Sequence, residues 1–506
     1  MMANLQQVLP GLQIAKSNRR NSWSAAAATI LGGLAVQYFL APGPPIKTAA
    51  STIEGCLNDV CVGRSDCAQF PSDHNVMESS SWLRPFNLGQ TSIPVAIVRP
   101  ETADEVASII KCAVKHNVKV QAKSGAIMNG AISVDLEHFQ YVHVDASNPY
   151  HNMRVGGGMR LGQIDETLRL YQRAVPHGMC LGIGIGGHAT VGGLGPMSRM
   201  WGTTLDNVEE IEVVTANGTI LRASDNENPD LFFAMRGAGS GFGIVTEFVL
   251  KTHSAPPVVL HFSQGFAYRD LEEMAGVYHE WQSVVADPTL DHRFSTEFVL
   301  TPEAVRISST WYGTEAELYH TGLLERLPEG GSMTLHRENW DRSLDFFAMR
   351  ESLHSPDVPG RLHSKSLGFA RDDLLSKSDV TAVFKAFEEQ RKATTEWSIK
   401  FQAVGGAISE VPAASTAFAH RDKVMFYQSH SANASKAVRD VLDGFHGTLL
   451  DCAPRASGTY PGFADPELRD AQRSYWGANL PALEELKAVW DPEDVFHNPQ
   501  SVVSRV

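Results

Sequence analysis

A cysteine lies inside a glycine-rich stretch of this sequence. Residues 176–188 read PHGMCLGIGIGGH and place Cys180 between Met179 and Leu181. A thiolate is a good nucleophile toward an electron-poor ring, and glycines let a backbone approach a ligand closely because they carry no side chain. The stretch therefore predicts a backbone that lies along a flat cofactor, with the Cys180 thiol within it. A mobile loop and a buried, inert cysteine are the alternatives that the residues leave open.

The glycines of this stretch also match part of a dinucleotide-binding pattern. They are Gly182, Gly184, Gly186 and Gly187, followed by Gly192 and Gly193. A Rossmann fingerprint requires a preceding strand, a long following helix and a later acidic residue. Pro176 precedes the stretch and Pro196 soon follows it, which disfavours a long helix. We therefore expect a flat cofactor along the backbone rather than a Rossmann domain.

Short strand and helix patterns surround the glycine stretch. Within residues 94–115, a strand pattern is followed by an amphipathic helix pattern with Thr102 as its N-cap. Residues 217–218 are Asn-Gly between two strand patterns and predict a hairpin turn. After the Pro-Pro break at 256–257, strand patterns recur between helix patterns and predict a second α+β unit with an antiparallel sheet. A last helix is predicted to end before Pro492.

The bulk composition is that of a globular protein. Hydrophobic residues make up 43% of the 506 residues, charged residues make up 20%, and the formal net charge is -14. This acidic balance argues against a nucleic-acid-binding surface, which requires clustered Lys and Arg. The chain contains six cysteines, at positions 56, 61, 67, 112, 180 and 452. Their spacing lacks the matching histidines of a zinc site, so we expect no metal.

An apolar segment near the N-terminus departs from this average. Residues 23–41 read WSAAAATILGGLAVQYFLA and follow a basic flank in residues 16–20. About 19 apolar residues approach the length of a bilayer-spanning helix, while a secretory signal and a buried Ala-rich helix are the alternatives. We expect residues 1–50 to be a single-pass anchor or a signal, with the following chain lumenal or secreted. Asn217 and Asn433 begin Asn-X-Ser/Thr glycosylation acceptors that fit this location.

Four separated blocks of the sequence resemble one enzyme family. They are IVRPETADEVASIIKCAVKHNVKVQAKSG, PHGMCLGIGIGGHATVGGLGPMSRMWGTTLDNVEEIEVVTANG, NPDLFFAMRGAGSGFGIVTEF and DPEDVFHNPQS. In this order they resemble the berberine-bridge-enzyme-like FAD-linked oxidases, and the second block resembles the fungal oligosaccharide-oxidase branch. The resemblance covers about residues 50–506. It implies an α+β fold with a vanillyl-alcohol-oxidase-type FAD-binding domain and a substrate domain built on an antiparallel sheet.

Domain boundaries are expected from this resemblance. The FAD-binding domain is expected over residues 51–254, with its core at 90–253. The substrate-binding domain is expected over 255–455, and residues 456–506 are expected to return to the FAD domain.

The resemblance also implies the residues that hold the cofactor. Cys180 is expected to bond covalently to C6 of the flavin ring, and Cys56 is expected to form a disulfide with Cys112. The residues expected to bind FAD are Lys123, Ser124, Gly125, Cys180, Gly182, Gly184, Gly187, His188, Gly192, Gly193, Gly243 and Val245.

The sequence departs from the family pattern after Lys123. Most members carry a Gly-Gly-His-Ser-Tyr run here, and its histidine forms a second covalent link to the flavin. This chain reads AKSGAIMNGAISVDL, in which Ser124 and Gly125 remain but the histidine is absent. A natural flavoprotein with one tether and a misplaced exon boundary in the gene both fit this gap. Loss of one tether is expected to lower the affinity for the flavin and its redox potential.

A second departure concerns catalysis. The last tyrosine of a Tyr-X-Asn-Tyr motif often acts as the base in the family, but this chain has Phe463 there, and phenylalanine cannot accept a proton. Tyr460, and Gln402 acting through water, are the expected catalytic candidates. Gln402 matches a polar or acidic active-site position of relatives, although an ordinary strand residue is the alternative. His188 is expected to pack beside the flavin loop.

These features predict an FAD-dependent oxidase. A substrate C–H bond beside a hydroxyl would deliver hydride to flavin N5, and O₂ would regenerate the flavin as hydrogen peroxide forms. The expected substrate is a small secondary metabolite, and an oligosaccharide is an alternative substrate. A flavin-scaffold cyclase with little net oxidation is a second hypothesis, which an apolar pocket would suit. A product that cannot hold FAD is a third.

Overall fold

The apolar positions of the sequence lie in the helices and strands of the computed structural model. It describes residues 49–71, 82, 86–89, 92–123, 128–147, 151–267, 270–354, 359–390, 392, 394–463 and 465–505. Periods of two and 3.6 residues in the apolar positions place one face of each strand or helix against a core.

The first sheet is small and mixed. It consists of β1 (Ala68–Gln69), β2 (Ala96–Val98), β3 (Val120–Ala122) and β4 (Ile132–Val134), in the order β1-β2-β4-β3. Strand β4 pairs in parallel with β2 and β3. Helices α1 (Ala49–Val60) and α2 (Ala103–Lys115) pack together, and the Cys56–Cys112 disulfide joins them. The disulfide implied by the resemblance is therefore confirmed, and a second one links Cys61 to Cys67.

Helix α2 begins as its sequence predicts. The Oγ1 atom of Thr102 accepts a hydrogen bond from the backbone N–H of Glu105 at 3.2 Å. This contact satisfies a backbone donor that has no partner inside the helix. Val106, Ile109 and Ile110 are buried against the first sheet. The N-cap and the helical apolar spacing are both confirmed.

The second sheet is antiparallel and adjoins the glycine stretch. It consists of β5 (Val142–Val144), β6 (Met153–Gly156), β8 (Val208–Val214), β9 (Ile220–Ser224) and β10 (Ile244–Leu250), in the order β5-β6-β10-β8-β9. A separate pair contains β7 (Arg173–Ala174) and β11 (His253–Ser254). The helices between these strands are α3 (Leu161–Arg169), α4 (Ile185–Val191), α5 (Ser198–Trp201) and α6 (Pro229–Ala238). Gly218 has φ +72° in the β8–β9 turn, so the predicted hairpin is confirmed.

The third sheet has seven antiparallel strands. They are β12 (Val259–Ala267), β13 (Phe294–Leu300), β14 (Ala304–Tyr312), β15 (Ser332–Glu338), β16 (His363–Ala370), β17 (Ser398–Ala403) and β18 (Lys423–Ser431), in the order β15-β12-β14-β13-β17-β18-β16. The helices of this region are α7 (Leu271–Val285), α8 (Glu315–His320), α9 (Trp340–His354), α10 (Lys377–Gln390), α11 (Ala407–Glu410) and α12 (Lys436–Cys452). Their order confirms the predicted antiparallel sheet after residues 256–257.

The two faces of this third sheet differ in chemistry. Helices α7, α10 and α12 contribute to an apolar core that includes Tyr278, Phe298, Phe384, Phe401 and Phe445. Successive side chains of a strand point to opposite faces. Phe298 and Phe401 are on the strands of this core. Their neighbours Glu297 and Gln402 therefore lie on the other face, which carries polar residues.

The C-terminal segment returns to the first sheet. It contains α13 (Ala471–Trp476) and α14 (Leu480–Trp490), and α14 ends before Pro492 as predicted. The backbone N–H of Val120 in β3 donates to the carbonyl of Val495 at 2.8 Å. Lys487 is fully buried, and its ammonium lies 2.7 Å from the Asp491 carboxylate. This paired charge fixes the end of α14.

The predicted membrane anchor or signal and the predicted domain boundaries are not tested by the helices and strands described above. Within the described residues, no helix is both long and apolar enough to cross a bilayer. The apolar segment 23–41 lies outside the described residues, so the anchor or signal stays a prediction. The domain boundaries at 254/255 and 455/456 also stay predictions.

Candidate functional site

The segment around Cys180 is a turn that α3 holds in place. The N–H of Ile183 donates to the Cys180 carbonyl at 3.2 Å and closes the turn. At the start of α3, the N–H of Leu161 donates to Ile183 at 2.9 Å, and that of Gly162 donates to Leu181 at 3.0 Å. Cys180 is half-buried and takes part in neither disulfide. The turn therefore has a fixed backbone and carries a thiol.

The glycines after Cys180 present bare backbone on one side. A Cβ atom at Gly187 would meet no atom within 4 Å, and one at Gly184 would meet only the Met159 carbonyl at 3.9 Å. On the opposite side, a Cβ at Gly186 would lie 2.8 Å from the Gly157 carbonyl. The segment thus packs tightly against the protein and exposes backbone outward. The open side at Gly184 and Gly187 fits a flat ring such as the flavin, and Gly182 lies in the turn that precedes them.

Gly192 and Gly193 form a tight turn after α4. Their φ angles are +146° and +88°. A Cβ at Gly193 would lie 2.1 Å from Thr204 Oγ1, and one at Gly192 would lie 2.6 Å from the Tyr460 ring. The backbone turns here in a conformation that L side chains rarely adopt. A side chain at either position would meet the protein interior, and the predicted contact of these two residues with FAD stays a prediction.

His188 lies on α4 and holds the chain just before Cys180. Its Nε2 atom accepts a hydrogen bond from the N–H of Gly178 at 3.0 Å. Burial, together with the nearby charge of His177, lowers the pKa of His188 to about 3. A neutral imidazole can accept this bond, whereas an imidazolium cannot. The packing role predicted for His188 agrees with this geometry.

Gly243 and Val245 lie at the start of β10. A Cβ at Gly243 would lie 2.5 Å from Val213 Cγ2, and a Cβ at Gly157 would lie 2.3 Å from the Val245 carbonyl. Residues 156–158 are three successive glycines packed against backbone carbonyls. These three glycines were not among the predicted site residues, although the Gly-Gly-Gly run is visible in the sequence. They allow β6 and the glycine segment to approach each other.

Lys123 follows β3 and forms a network of charges. Its ammonium lies 2.8 Å from the Asp135 carboxylate, and Arg99 lies 2.9 Å from the same oxygen. Burial acts to raise the pKa of Asp135, but the attraction of the two cations outweighs it and lowers the pKa. Ser124 and Gly125 lie outside the described residues. Their predicted contacts with FAD therefore stay predictions.

A polar wall on the third sheet faces the Cys180 segment. Gln402 on β17 is the register partner of Glu297 on β13, and Glu297 pairs with Ser308 on β14. The Arg350 guanidinium on α9 lies 3.4 Å from the Glu297 carboxylate and 3.4 Å from the sulfur of Met179. One small cavity is lined by Met179, Pro196, Ser295, Thr296, Glu297, Ser308, Thr310, Arg350 and Gln402. Met179 precedes Cys180, so this wall lies beside the predicted tether.

Of the residues in this wall, Gln402 was predicted from the sequence, whereas Glu297 and Arg350 were not. Glu297 is 4% exposed and is the carboxylate among the described residues that line this cavity. Its signal was the alternation of polar residues in β13, where Ser295 and Glu297 share a face. Arg350 carries no comparable signal, because its helix reaches the site from elsewhere in the chain.

Tyr460 lies behind the glycine segment. Its hydroxyl oxygen accepts hydrogen bonds from the N–H groups of Gly193 at 2.7 Å and Leu194 at 3.4 Å. The residue is 4% exposed, and burial raises its pKa to about 12 although the two N–H groups act to lower it. The Phe463 ring packs edge-on against the Tyr460 ring, with centroids 5.0 Å apart. The structure thus gives Tyr460 a role in fixing the turn at 192–194.

Comparisons with known proteins agree with this geometry. A family profile described as "FAD binding domain" matches residues 94–224, and one described as "Berberine and berberine like" matches residues 459–503. The FAD-linked oxidoreductase sorD of Penicillium rubens is 35% identical over 473 residues, which cover 90% of this chain and 99% of that protein. The chain belongs to the berberine-bridge-like FAD-linked oxidoreductases.

Other members of this family extend the likeness. The carbohydrate oxidase of Microdochium nivale is 32% identical over 455 residues, which cover 83% of this chain and 90% of that protein. The solved glucooligosaccharide oxidase of Acremonium strictum has a TM-score of 0.79 and 27% identity, over 90% of this chain and 99% of that one. This FAD-linked oxidoreductase therefore has the two-domain fold of the vanillyl-alcohol-oxidase type, with FAD as its cofactor.

Proposed function

We propose that this FAD-linked oxidoreductase is an oxidase that oxidises a hydroxyl-bearing carbon of a polar small molecule, with O₂ as the electron acceptor. The observation that carries the proposal is the polar wall of Glu297, Gln402, Ser308 and Arg350 beside the Cys180 segment. Hydroxyl groups of a substrate can replace water as the hydrogen-bond partners of such a wall. A hydroxylated secondary metabolite is the first substrate class.

An oligosaccharide is the second substrate class. Relatives named as carbohydrate and glucooligosaccharide oxidases support it, and so does the density of hydrogen-bonding groups on the wall. The cyclase hypothesis requires an apolar pocket. The charged pair of Glu297 and Arg350 in this cavity argues against that hypothesis.

Gln402, Glu297 and Tyr460 have different roles in this proposal. Bound FAD supplies a hydride acceptor. Gln402 binds and orients the substrate hydroxyl through its side-chain amide, which can both donate and accept. Glu297 accepts the hydroxyl proton, because a carboxylate beside the substrate hydroxyl can act as a general base. Tyr460 does not transfer protons but holds the turn at 192–194.

Cys180 is the proposed single covalent tether of FAD. The related glucooligosaccharide oxidase of Acremonium strictum carries a "6-s-cysteinyl, 8 alpha-N1-histidyl FAD". In this chain Gly184 and Gly187, which are open on one side, follow the thiol within seven residues. Placement of the ring against this backbone would bring the ring edge to Cys180. The second tether is absent because the histidine run is missing.

We propose a location in the secretory pathway, with membrane anchorage and secretion both open. Two disulfides fit an oxidising compartment. The glycosylation acceptors Asn217 and Asn433 are both exposed. Digestion of the native protein with an endoglycosidase should lower its mass, and an unchanged mass would contradict this location.

Peroxide release tests the proposed activity. Purified holoprotein is mixed with xylobiose, cellobiose, chitobiose and a set of aromatic and aliphatic alcohols. We expect hydrogen peroxide in proportion to oxidised product, and anaerobic loss of the flavin absorbance with the same substrate. Glu303→Gln, a change on an exposed turn, serves as a control for Glu297→Gln. Conversion of a substrate without peroxide and without loss of absorbance would favour the cyclase and refute the oxidase.

A further inference from the structure

We propose that Asp165 and His177, together with the start of α3, clamp the chain on both sides of Cys180 and so aim its thiol at the flavin. Asp165 and His177 are thus positioning residues for covalent attachment. This inference rests on the proposed cysteinyl tether. It concerns residues that neither the sequence patterns nor the family resemblance selected.

One arm of the clamp holds the residues that follow Cys180. Three donors at the start of α3 reach the three successive carbonyls of residues 181–183. These bonds are Gly162 N–H to Leu181 at 3.0 Å, the Arg160 guanidinium to Gly182 at 2.7 Å, and Leu161 N–H to Ile183 at 2.9 Å. The chain after the thiol therefore cannot rotate as a unit without breaking all three bonds.

The other arm holds the residues that precede Cys180. Asp165 lies one turn further along α3, and its Oδ1 atom accepts a hydrogen bond from Nε2–H of His177 at 2.9 Å. The Nδ1–H group of His177 donates to the Gly178 carbonyl at 2.7 Å. Both side chains are buried, with 4% and 2% exposure. One helix thus contacts the chain on both sides of the thiol.

The protonation of His177 agrees with this role. Burial disfavours the charged imidazole, but the attraction and hydrogen bond of Asp165 and the Gly178 carbonyl together raise the pKa of His177. An imidazolium carries a proton on each ring nitrogen and can make both contacts at once. The Asp165–His177 pair therefore holds the Gly178 carbonyl through two hydrogen bonds in series.

Further contacts fix the same backbone from other directions. Thr204 Oγ1 donates to the Pro176 carbonyl at 2.7 Å, and His188 accepts from the N–H of Gly178. A Cβ at Gly195 would lie 1.8 Å from the His177 carbonyl, so the backbone at Gly195 is in direct contact with the backbone at His177. Met179 and Cys180 therefore lie between two fixed points. The clamp therefore fixes the backbone at Cys180 and with it the direction of the Cα–Cβ bond that carries the thiol.

The rate of covalent attachment should depend on how the Cys180 thiol is positioned relative to the flavin. The Cys180 thiol and the C6 carbon of the flavin each lose a proton, and one carbon–sulfur bond forms. Two electrons pass through the ring to O₂, which takes up two protons and leaves as hydrogen peroxide. Displacement of a reacting atom by 1 Å can slow a reaction about 100-fold. Loss of one clamp arm should therefore slow attachment.

The test compares two substitutions of Asp165 in the full chain. Asp165→Ala removes the arm. Asp165→Asn keeps it, because the amide can donate to Nε2 of a neutral His177 whose Nδ1–H still reaches Gly178. Each protein is produced in a riboflavin-starved host and then mixed with FAD. Attachment is followed as colour in the acid-precipitated pellet and as the flavin mass on the Cys180 peptide, while fluorescence quenching gives the non-covalent Kd.

We expect attachment to slow by about tenfold or more in Asp165→Ala, with Asp165→Asn close to the parent chain and the Kd little changed in both. Attachment at the parent rate in Asp165→Ala would overturn the inference, and so would equal slowing in both variants. If Asp165→Ala does not fold, Arg160→Ala decides, because its exposed side chain holds the Gly182 carbonyl. Unchanged attachment there would also overturn it. A parent chain that binds FAD without a covalent bond would overturn the clamp and the tether, but peroxide release would still support the proposed oxidase.

Discussion

Replacement of Tyr460 by phenylalanine separates a packing role from a catalytic one. The phenol oxygen accepts hydrogen bonds from the buried N–H groups of Gly193 and Leu194, at 2.7 and 3.4 Å. Tyr460→Phe keeps the ring in place but leaves the N–H of Gly193 without that acceptor. An unsatisfied buried donor costs about 1–3 kcal/mol. We therefore expect the free energy of unfolding to fall by about this amount.

Catalysis should respond differently. With a pKa near 12, the phenol is protonated at neutral pH and is a poor proton acceptor. Loss of a general base slows turnover by about 100- to 10,000-fold, whereas Tyr460→Phe should change kcat by less than about threefold.

Both quantities can be measured on one preparation. Urea unfolding is followed by tryptophan fluorescence, and initial rates are followed as peroxide release. Tyr319→Phe is the matched control, because this tyrosine is 66% exposed. A kcat lowered at least about 100-fold, with unfolding unchanged, would refute the reasoning and restore Tyr460 as the base.

Three further predictions follow from the geometry of the site. Glu297→Gln should lower kcat by about 100-fold or more with the Cys180 attachment unchanged, and activity equal to Glu303→Gln would contradict this. Gly187→Ala should fold normally but bind FAD more weakly, because its Cβ points into open space. Gly193→Ala should instead destabilise the fold by about 1–3 kcal/mol or more, since the φ of Gly193 is +88°. Urea unfolding midpoints that show Gly187→Ala to be the less stable variant would refute this assignment of the two glycines.

Acidification should destabilise the protein through buried histidines. Burial lowers the pKa of His188 and His261 to about 3 and that of His420 to about 4. Because the unfolded chain binds these protons near pH 6.5, their stabilisation is present above that value and is lost as the pH falls toward 4. From pH 7 to pH 5 the loss is on the order of 2 kcal/mol for each of these histidines, while His177, whose pKa is raised, acts in the opposite direction. A urea midpoint that is unchanged at pH 5 would contradict this reasoning.

Local patterns were sufficient to predict most elements of the fold. The N-cap at Thr102 and the turn at residues 217–218 depend on residues a few positions apart, and the structure confirms both. The alternating strands after residues 256–257 are equally local. The cofactor and one disulfide came from family resemblance rather than from such patterns.

The assembled site could not be predicted in the same way. Glu297 and Gln402 are 105 positions apart in the numbering, and the strand register that makes them partners is set by the whole third sheet. The contact between Tyr460 and Gly193 spans 267 residues. Arg350 reaches the cavity from α9, and His177 owes its role to a carboxylate on α3. These relationships depend on tertiary packing, which a local pattern does not contain.

The most direct test of the account is the mass of the peptide that contains Cys180, taken from acid-precipitated holoprotein. We predict one flavin on this peptide, and release of all yellow colour into the supernatant in Cys180→Ala. Cys452→Ala, the other cysteine outside the disulfides, should keep the colour in the pellet. Flavin on another residue, or a yellow pellet that persists in Cys180→Ala, would contradict the central claim that this thiol tethers the ring.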